Sequence, residues 1–115
     1  MTQNIAEELL TQCIALAEDK KARDIVSLHL AELTTICDYF LIMTAGNSRQ
    51  AQAICDNIEE GLKANGNAPL RIEGYEGAQW ILMDLGPVIV HIFMEETRDH
   101  YDLERLWGDA PRKEY

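Results

Sequence analysis

No cysteine framework runs through this chain. Cys13, Cys37 and Cys55 are odd in number, widely spaced and set among apolar neighbours, which excludes a disulfide scaffold and reads as buried thiols of a reducing compartment. Positive charge is scarce as well. Ten basic residues stand against twenty acidic ones, a net charge of −10; such a field repels phosphate backbones and anionic membranes and favours basic protein surfaces. Little direct nucleic-acid contact is expected. No apolar run approaches the length of a membrane span, and "MTQNIAEELL" has carboxylates where an export signal has basic residues, so a cytoplasmic protein with no membrane partner is expected. Also missing are internal repeats, low-complexity tracts, linkers, and any C-x-x-C or H-E-x-x-H spacing. The 115 residues are one domain's worth, able to hide roughly two-thirds of the surface of the unfolded chain.

What is present is patterned. Over residues 2–21, Ile5, Leu9, Cys13 and Leu16 recur at helical steps and Ala6, Leu10, Ile14 and Ala17 widen the stripe, which predicts an amphipathic helix with one buried face. "DIVSLHL" alternates Val26, Leu28 and Leu30 against Ser27 and His29, the pattern of a half-exposed strand. "DYFLIMTA" is a continuous run of β-formers, suited to a central strand covered on both faces. Asn47 or Ser48 caps the next helix, whose buried stripe is Ala51, Ile54, Cys55, Ile58 and Leu62, with Glu59 and Lys63 paired and Asn65-Gly66 as its stop. "LRIEG" predicts a short strand, and Thr97 to Trp107 a last helix closed by Gly108 and Pro111. The expected architecture is α/β, a mixed five-stranded sheet with covering helices, as a single domain over residues 1–107 followed by a flexible polar tail, 108–115.

The stretch "GAQWILMDLGPVIVHIF" predicts a hairpin. With its turn at Leu85-Gly86, Trp80 faces His91, Ile81 faces Val90 and Leu82 faces Ile89. Alternation puts Ile81, Met83, Val88, Val90 and Ile92 on a wholly apolar core face, and Trp80, Leu82, Asp84, Ile89 and His91 on the other. Two aliphatic residues ringed by an indole, an imidazole and a carboxylate have the composition of a binding patch; large aromatics are also ordinary core material, and composition alone leaves both readings open.

Several ordered motifs resemble the ribosomal silencing factor family, also called the Iojap family: Asp38-Tyr39-Phe40, Gly46-Asn47-Ser48, Glu73-Gly74, Trp80 with Asp84, Val90-His91, and Tyr101 with Leu106-Trp107. The likeness runs from about Asp24 to Trp107. It implies a nucleotidyltransferase-like fold without catalytic residues, and a translational repressor active in starvation or stationary phase. Such a factor binds the large ribosomal subunit through ribosomal protein L-fourteen and blocks joining of the small subunit. The family's Trp, matched by Trp80, is implied in that contact, with Leu82, Asp84, Ile89 and His91 beside it and Tyr39 and Tyr101 as neighbours. Trp80 is expected as anchor, Leu82 and Ile89 as floor, Asp84 and His91 as polar rim. Pro87 departs from the family, which commonly has an acidic residue there.

Rival readings have less behind them. "TAGNS" leading into a helix resembles the Gly-Ser turn of nucleotidyltransferases, so a degenerate nucleotide-binding protein or enzyme is the alternative. The carboxylate pair that two-metal chemistry needs is absent from every expected strand, Asp56 stands alone, and Asp102 and Glu104 point apart on a helix. A zinc site from His29, His91 and His100 with Glu95 or Glu96 lacks a supporting spacing. Neither catalysis, a metal nor a cofactor is expected, and an apolar patch around Trp80 could also pair with its own copy in a homodimer.

Overall fold

A computed structural model describes residues 2–115, with side chains from residue 5 onward. Helix α1 (Thr2–Asp19) leads to β1 (Arg23–His29) and β2 (Tyr39–Ala45), then α2 (Ser48–Ala64), β3 (Arg71–Glu73), β4 (Trp80–Asp84), β5 (Val88–Met94), α3 (Glu95–Tyr101), α4 (Leu103–Leu106) and β6 (Arg112–Glu114). The sheet is mixed, with six strands rather than five, in the order β3-β4-β5-β2-β1-β6. Among the described residues only the central β2–β5 pair is parallel; β1–β2, β1–β6, β3–β4 and β4–β5 are antiparallel.

The extra strand comes from the segment expected as a polar tail. Arg112 to Glu114 pair with Val26 to Leu28 of β1, and the Tyr115 hydroxyl shares a 2.9 Å hydrogen bond with that of Ser27. Ser27, expected on an exposed side, is therefore buried. The run Arg-Lys-Glu holds its place through backbone bonds, which a hydropathy pattern does not register.

Two layers of core follow from the alternation of the strands. On one face Leu41, Met43, Ile81, Met83, Val88, Val90 and Ile92 pack against α1 and α2, whose buried stripe includes Ile54, Cys55, Ile58 and Leu62. The stripe of α1 runs through Ala6, Leu9, Leu10, Cys13 and Ala17, leaving Ile5 exposed. On the other face Val26, Leu28, Ile42 and Phe93 meet the C-terminal elements through Leu103, Trp107 and Ala110. All three thiols are free and buried; burial pushes Cys13 and Cys55 up to about 12 and Cys37 up to about 11, which keeps them protonated and unreactive.

The start of α2 is closed by its own side chains. Asn47 Oδ1 accepts from the Gln50 amide at 2.8 Å, and Gln50 Oε1 reaches back to accept from the Gly46 amide, a variant of the reciprocal capping box. Gln50 Nε2 also donates to the Lys20 and Lys21 carbonyls, both at 3.1 Å, so one side chain fastens the end of α1 to the start of α2. Gln50→Ala is expected to lower stability by about 1–2 kcal/mol, the usual loss for a helix cap. Urea denaturation checks this; an unchanged midpoint would contradict it.

The last helix is interrupted. Asp102 takes a left-handed conformation (φ 47°, ψ 53°) and splits the expected helix into α3 and α4, neither of which carries a buried residue. Both lie across the sheet face that bears Trp80.

A candidate partner-binding face

The hairpin of β4 and β5 sets the geometry. Trp80 stands opposite Phe93, Leu82 opposite His91 and Asp84 opposite Ile89, a slip of two positions from the pairing expected from a turn at Leu85-Gly86. The turn chemistry accounts for it. Asp84 Oδ1 accepts from the Gly86 amide at 2.9 Å, Gly86 sits at φ +92°, and Pro87, which has no amide hydrogen, offers its carbonyl to Asp38 and Tyr39. The reversal thus spans residues 85–88 and not the two at its tip. An even slip preserves the faces, so Trp80, Leu82, Asp84, Ile89 and His91 still share one side, and Ile81, Met83, Val88, Val90 and Ile92 are buried on the other.

Depth separates the five. Trp80, Leu82, Asp84 and Ile89 are half-buried. His91 is 3% exposed and is no rim: it lies beneath the indole. Trp80 Nε1 donates to His91 Nδ1 at 3.0 Å, and the Trp80 ring lies 4.9 Å from Phe93 and 4.7 Å from Tyr101, centroid to centroid. Burial drives the His91 pKa down to about 4, so the imidazole is neutral at pH 7. Asp84 is committed in part to its turn, with its second oxygen 3.8 Å from Arg71 Nη2.

Tyr101 comes to the Trp80 face as expected and is 51% exposed. Tyr39 does not. It lies on the opposite side of the sheet, stacked on His29 with centroids 4.8 Å apart and packed against the α1–α2 core. Its β2 neighbour Phe40 is on the Trp80 side instead, its ring edge-on to His91 at 4.5 Å and to Trp107 at 6.1 Å. Sequence reasoning missed Phe40, Phe93 and Trp107. Alternation along β2 sets Phe40 against Tyr39, but only the parallel register with β5 tells which belongs beside Trp80. Leu106, in α4, is 72% exposed and lines a shallow groove with Tyr101.

An ion-pair cluster holds the partial cover in place. Arg98 donates to Glu104 at 2.9 Å, to the Asp24 carbonyl at 2.7 Å and to Thr44 Oγ1 at 2.8 Å. Glu104 also pairs with Arg112 of β6 at 3.0 Å. The adjoining cleft, about 630 Å³ and including Asp99 and Asp102 in its wall, is distinct from the Trp80 patch. Asp102 and Glu104, weighed above as a carboxylate pair, are a helix break and a partner of two arginines. Asp56 accepts the Tyr75 hydroxyl at 2.9 Å. Among the described residues no group of three or more His, Cys, Asp or Glu is placed to hold a metal ion.

Fold and site together define a small mixed-sheet α/β protein presenting an aromatic, half-covered sheet face. The family model described as "Ribosomal silencing factor during starvation" matches residues 3–115. The chain is 42% identical over 108 residues to the ribosomal silencing factor RsfS of Halalkalibacterium halodurans, covering 94% of this chain and 92% of that one. It is 40% identical over 105 residues to that of Bacillus subtilis, covering 91% and 89%. A crystal structure of a Chromobacterium violaceum protein superposes with TM-score 0.86 at 34% identity, covering 89% of this chain and 85% of the other. A more distant relative, 29% identical over 97 residues, is the mouse "Mitochondrial assembly of ribosomal large subunit protein 1", where the match covers 82% of this chain and 42% of the mouse protein. The chain belongs to the ribosomal silencing factor family, whose name places its members among ribosome-associated regulators of translation.

Proposed function

We propose that this protein is a cytoplasmic translational repressor that docks on the large ribosomal subunit through ribosomal protein L-fourteen and obstructs joining of the small subunit when nutrients are short. The observation that carries this reading is the Trp80 face, where a half-buried indole shares its side of the sheet with half-buried Leu82 and Ile89 and lies against the exposed Tyr101, which lines a groove with the exposed Leu106. Contiguous apolar surface of this kind marks an interaction site, and an aromatic anchor at its centre is the usual hot spot. The net charge of −10 directs such a ligand to a basic protein on an RNA-rich particle, not to the RNA. Asp84 supplies one carboxylate at the edge. A steric blocker needs affinity and bulk, with no catalysis, metal or cofactor.

The nucleotide-binding alternative has less support. Two of the amides at the start of α2 that a phosphate would draw on, those of Gly46 and Gln50, are engaged by the side chains of Gln50 and Asn47. Self-association through the Trp80 face when the ribosome is absent fits the same surface, and then the two uses compete.

Co-sedimentation with isolated large subunits tests the reading. Trp80→Ala is expected to keep its fold, because the ring is only half-buried, and to weaken binding by about 2 kcal/mol or more, roughly thirtyfold in Kd. Unchanged binding by a folded variant would withdraw the proposal.

A further inference from the structure

His91 poses a problem that packing does not solve. It sits on β5 between Ile89 and Phe93, next to Ile42 on β2 and opposite Leu82 on β4, and its ring contacts are Trp80, Phe40 and Phe93. Every one of these neighbours is apolar or aromatic. Its Nε2 is buried with no hydrogen-bond partner among the described residues, a state that costs stability and calls for a reason in a native protein. Leucine would fill such a place without that cost. What imidazole adds is an acceptor. Indole can only donate, so the 3.0 Å contact from Trp80 Nε1 to His91 Nδ1 requires a lone pair on Nδ1, and in a neutral ring the proton then resides on the orphaned Nε2. The orphan is the consequence of the tautomer that the indole needs.

We infer that His91 is a positioning residue for the partner-binding face: it consumes the Trp80 N–H inside the protein and fixes the ring, so that the indole offers a partner only hydrocarbon and the cleft that receives it is apolar, with no acceptor for the nitrogen. This rests on the reading of Trp80 as anchor and adds to it the chemistry of the complementary site. Three contacts then define the ring: the bond to His91, the Phe93 ring beneath and the Tyr101 ring beside it. Without the bond, the indole nitrogen must find water or the partner, and the ring loses the orientation that preorganises it for docking. Specificity follows, since a binding site built around an acceptor for indole would leave that acceptor unpaired here.

The experiment has a part that needs no partner. In the free wild-type protein, the Trp80 indole proton is expected to exchange slowly with solvent, and nitrogen NMR of His91 should show an unprotonated Nδ1 and a protonated Nε2. Fast indole exchange or the opposite tautomer overturns the inference, whatever any variant does. The second part uses His91→Leu, which removes the acceptor, and His91→Gln, which restores one. His91→Leu should speed indole exchange and weaken binding to isolated large subunits about fivefold, the worth of one hydrogen bond, with His91→Gln recovering both in part. Replacing Trp80 by β-(3-benzothienyl)alanine, which has sulfur for N–H, should weaken wild-type binding to a similar degree and change nothing further in the His91→Leu background. A further loss in that background means the partner accepts the N–H and overturns the apolar cleft. Wild-type affinity in folded His91→Leu, while Trp80→Ala loses binding, overturns the positioning role alone; undiminished binding by Trp80→Ala overturns the anchor itself. Should the His91 variants fail to fold, the wild-type exchange and tautomer measurements decide.

Discussion

Gly74→Ala should lower the stability of this protein by about 3 kcal/mol, combining the strain of a left-handed non-glycine residue with a backbone clash. Gly74 lies at φ +79°, and a Cβ added there would come 2.2 Å from the Trp80 carbonyl oxygen. A side chain could swing aside, but a strand backbone cannot move without its ladder. Gly74 also accepts from the Ala78 amide at 2.9 Å, closing the loop that carries the chain from β3 into β4. The clash is therefore relieved by loosening β3, an edge strand of three residues, or by shifting Trp80. Urea denaturation gives the loss, and hydrogen exchange along residues 71–84 shows where it falls. Stability within 0.5 kcal/mol of the wild type would mean that the loop yields easily, against the strain expected at such a site.

Acid should destabilise the protein through His91 by about 3 kcal/mol in total. The sign follows from the direction of the shift. Burial holds the folded-state pKa at about 4, below the ordinary 6.5. Above pH 6.5 the ring is neutral in both states and contributes no pH dependence. Between 6.5 and 4 the unfolded chain binds a proton that the folded one refuses, so stability falls with pH at up to about 1.4 kcal/mol per unit; below 4 both states are charged and the slope ends. Carboxylates titrate in the same range, so the measurement is a difference: denaturation of wild type and His91→Leu from pH 7 to pH 4. The wild type should lose about 3 kcal/mol more than the variant. Parallel curves would place the imidazole in contact with water or a carboxylate, contrary to its position under Trp80.

Legibility in the sequence depended on the kind of force involved. Helix α2 was readable because cap, apolar stripe, i,i+4 pair and stop agree, and all four are present: Asn47, the Ala51-to-Leu62 stripe, Glu59 with Lys63 at 3.4 Å, and Gly66 at positive φ. The two faces of the β4–β5 hairpin were readable too, since alternation survives an even slip. Its register was not, because an Asx-type bond from Asp84 and the missing amide of Pro87 act through the backbone. For the same reason β6 was read as tail. Tyr39 was misplaced because β2 is apolar on both sides and its neighbours come from distant sequence. The depth of His91 was illegible for a further reason: polarity suggested a rim, while the bond that permits burial is made to a residue on another strand.

The sole parallel contact among the described strands, β2 with β5, joins parts of the chain that are far apart in sequence. Every facing pair between β2 and β5 lies 49 positions apart along the chain, as Tyr39 and Val88 do. On either side of that seam sit locally connected antiparallel pieces, β1 with β2 and β3 with β4 and β5. Zipping the two halves together requires the polypeptide to close a wide loop before any seam contact rewards it, an entropic cost that local pairings do not carry. Until it happens, Leu41, Ile42, Val90 and His91 stand at raw strand edges, the form in which a nascent chain is most prone to stick to a stranger.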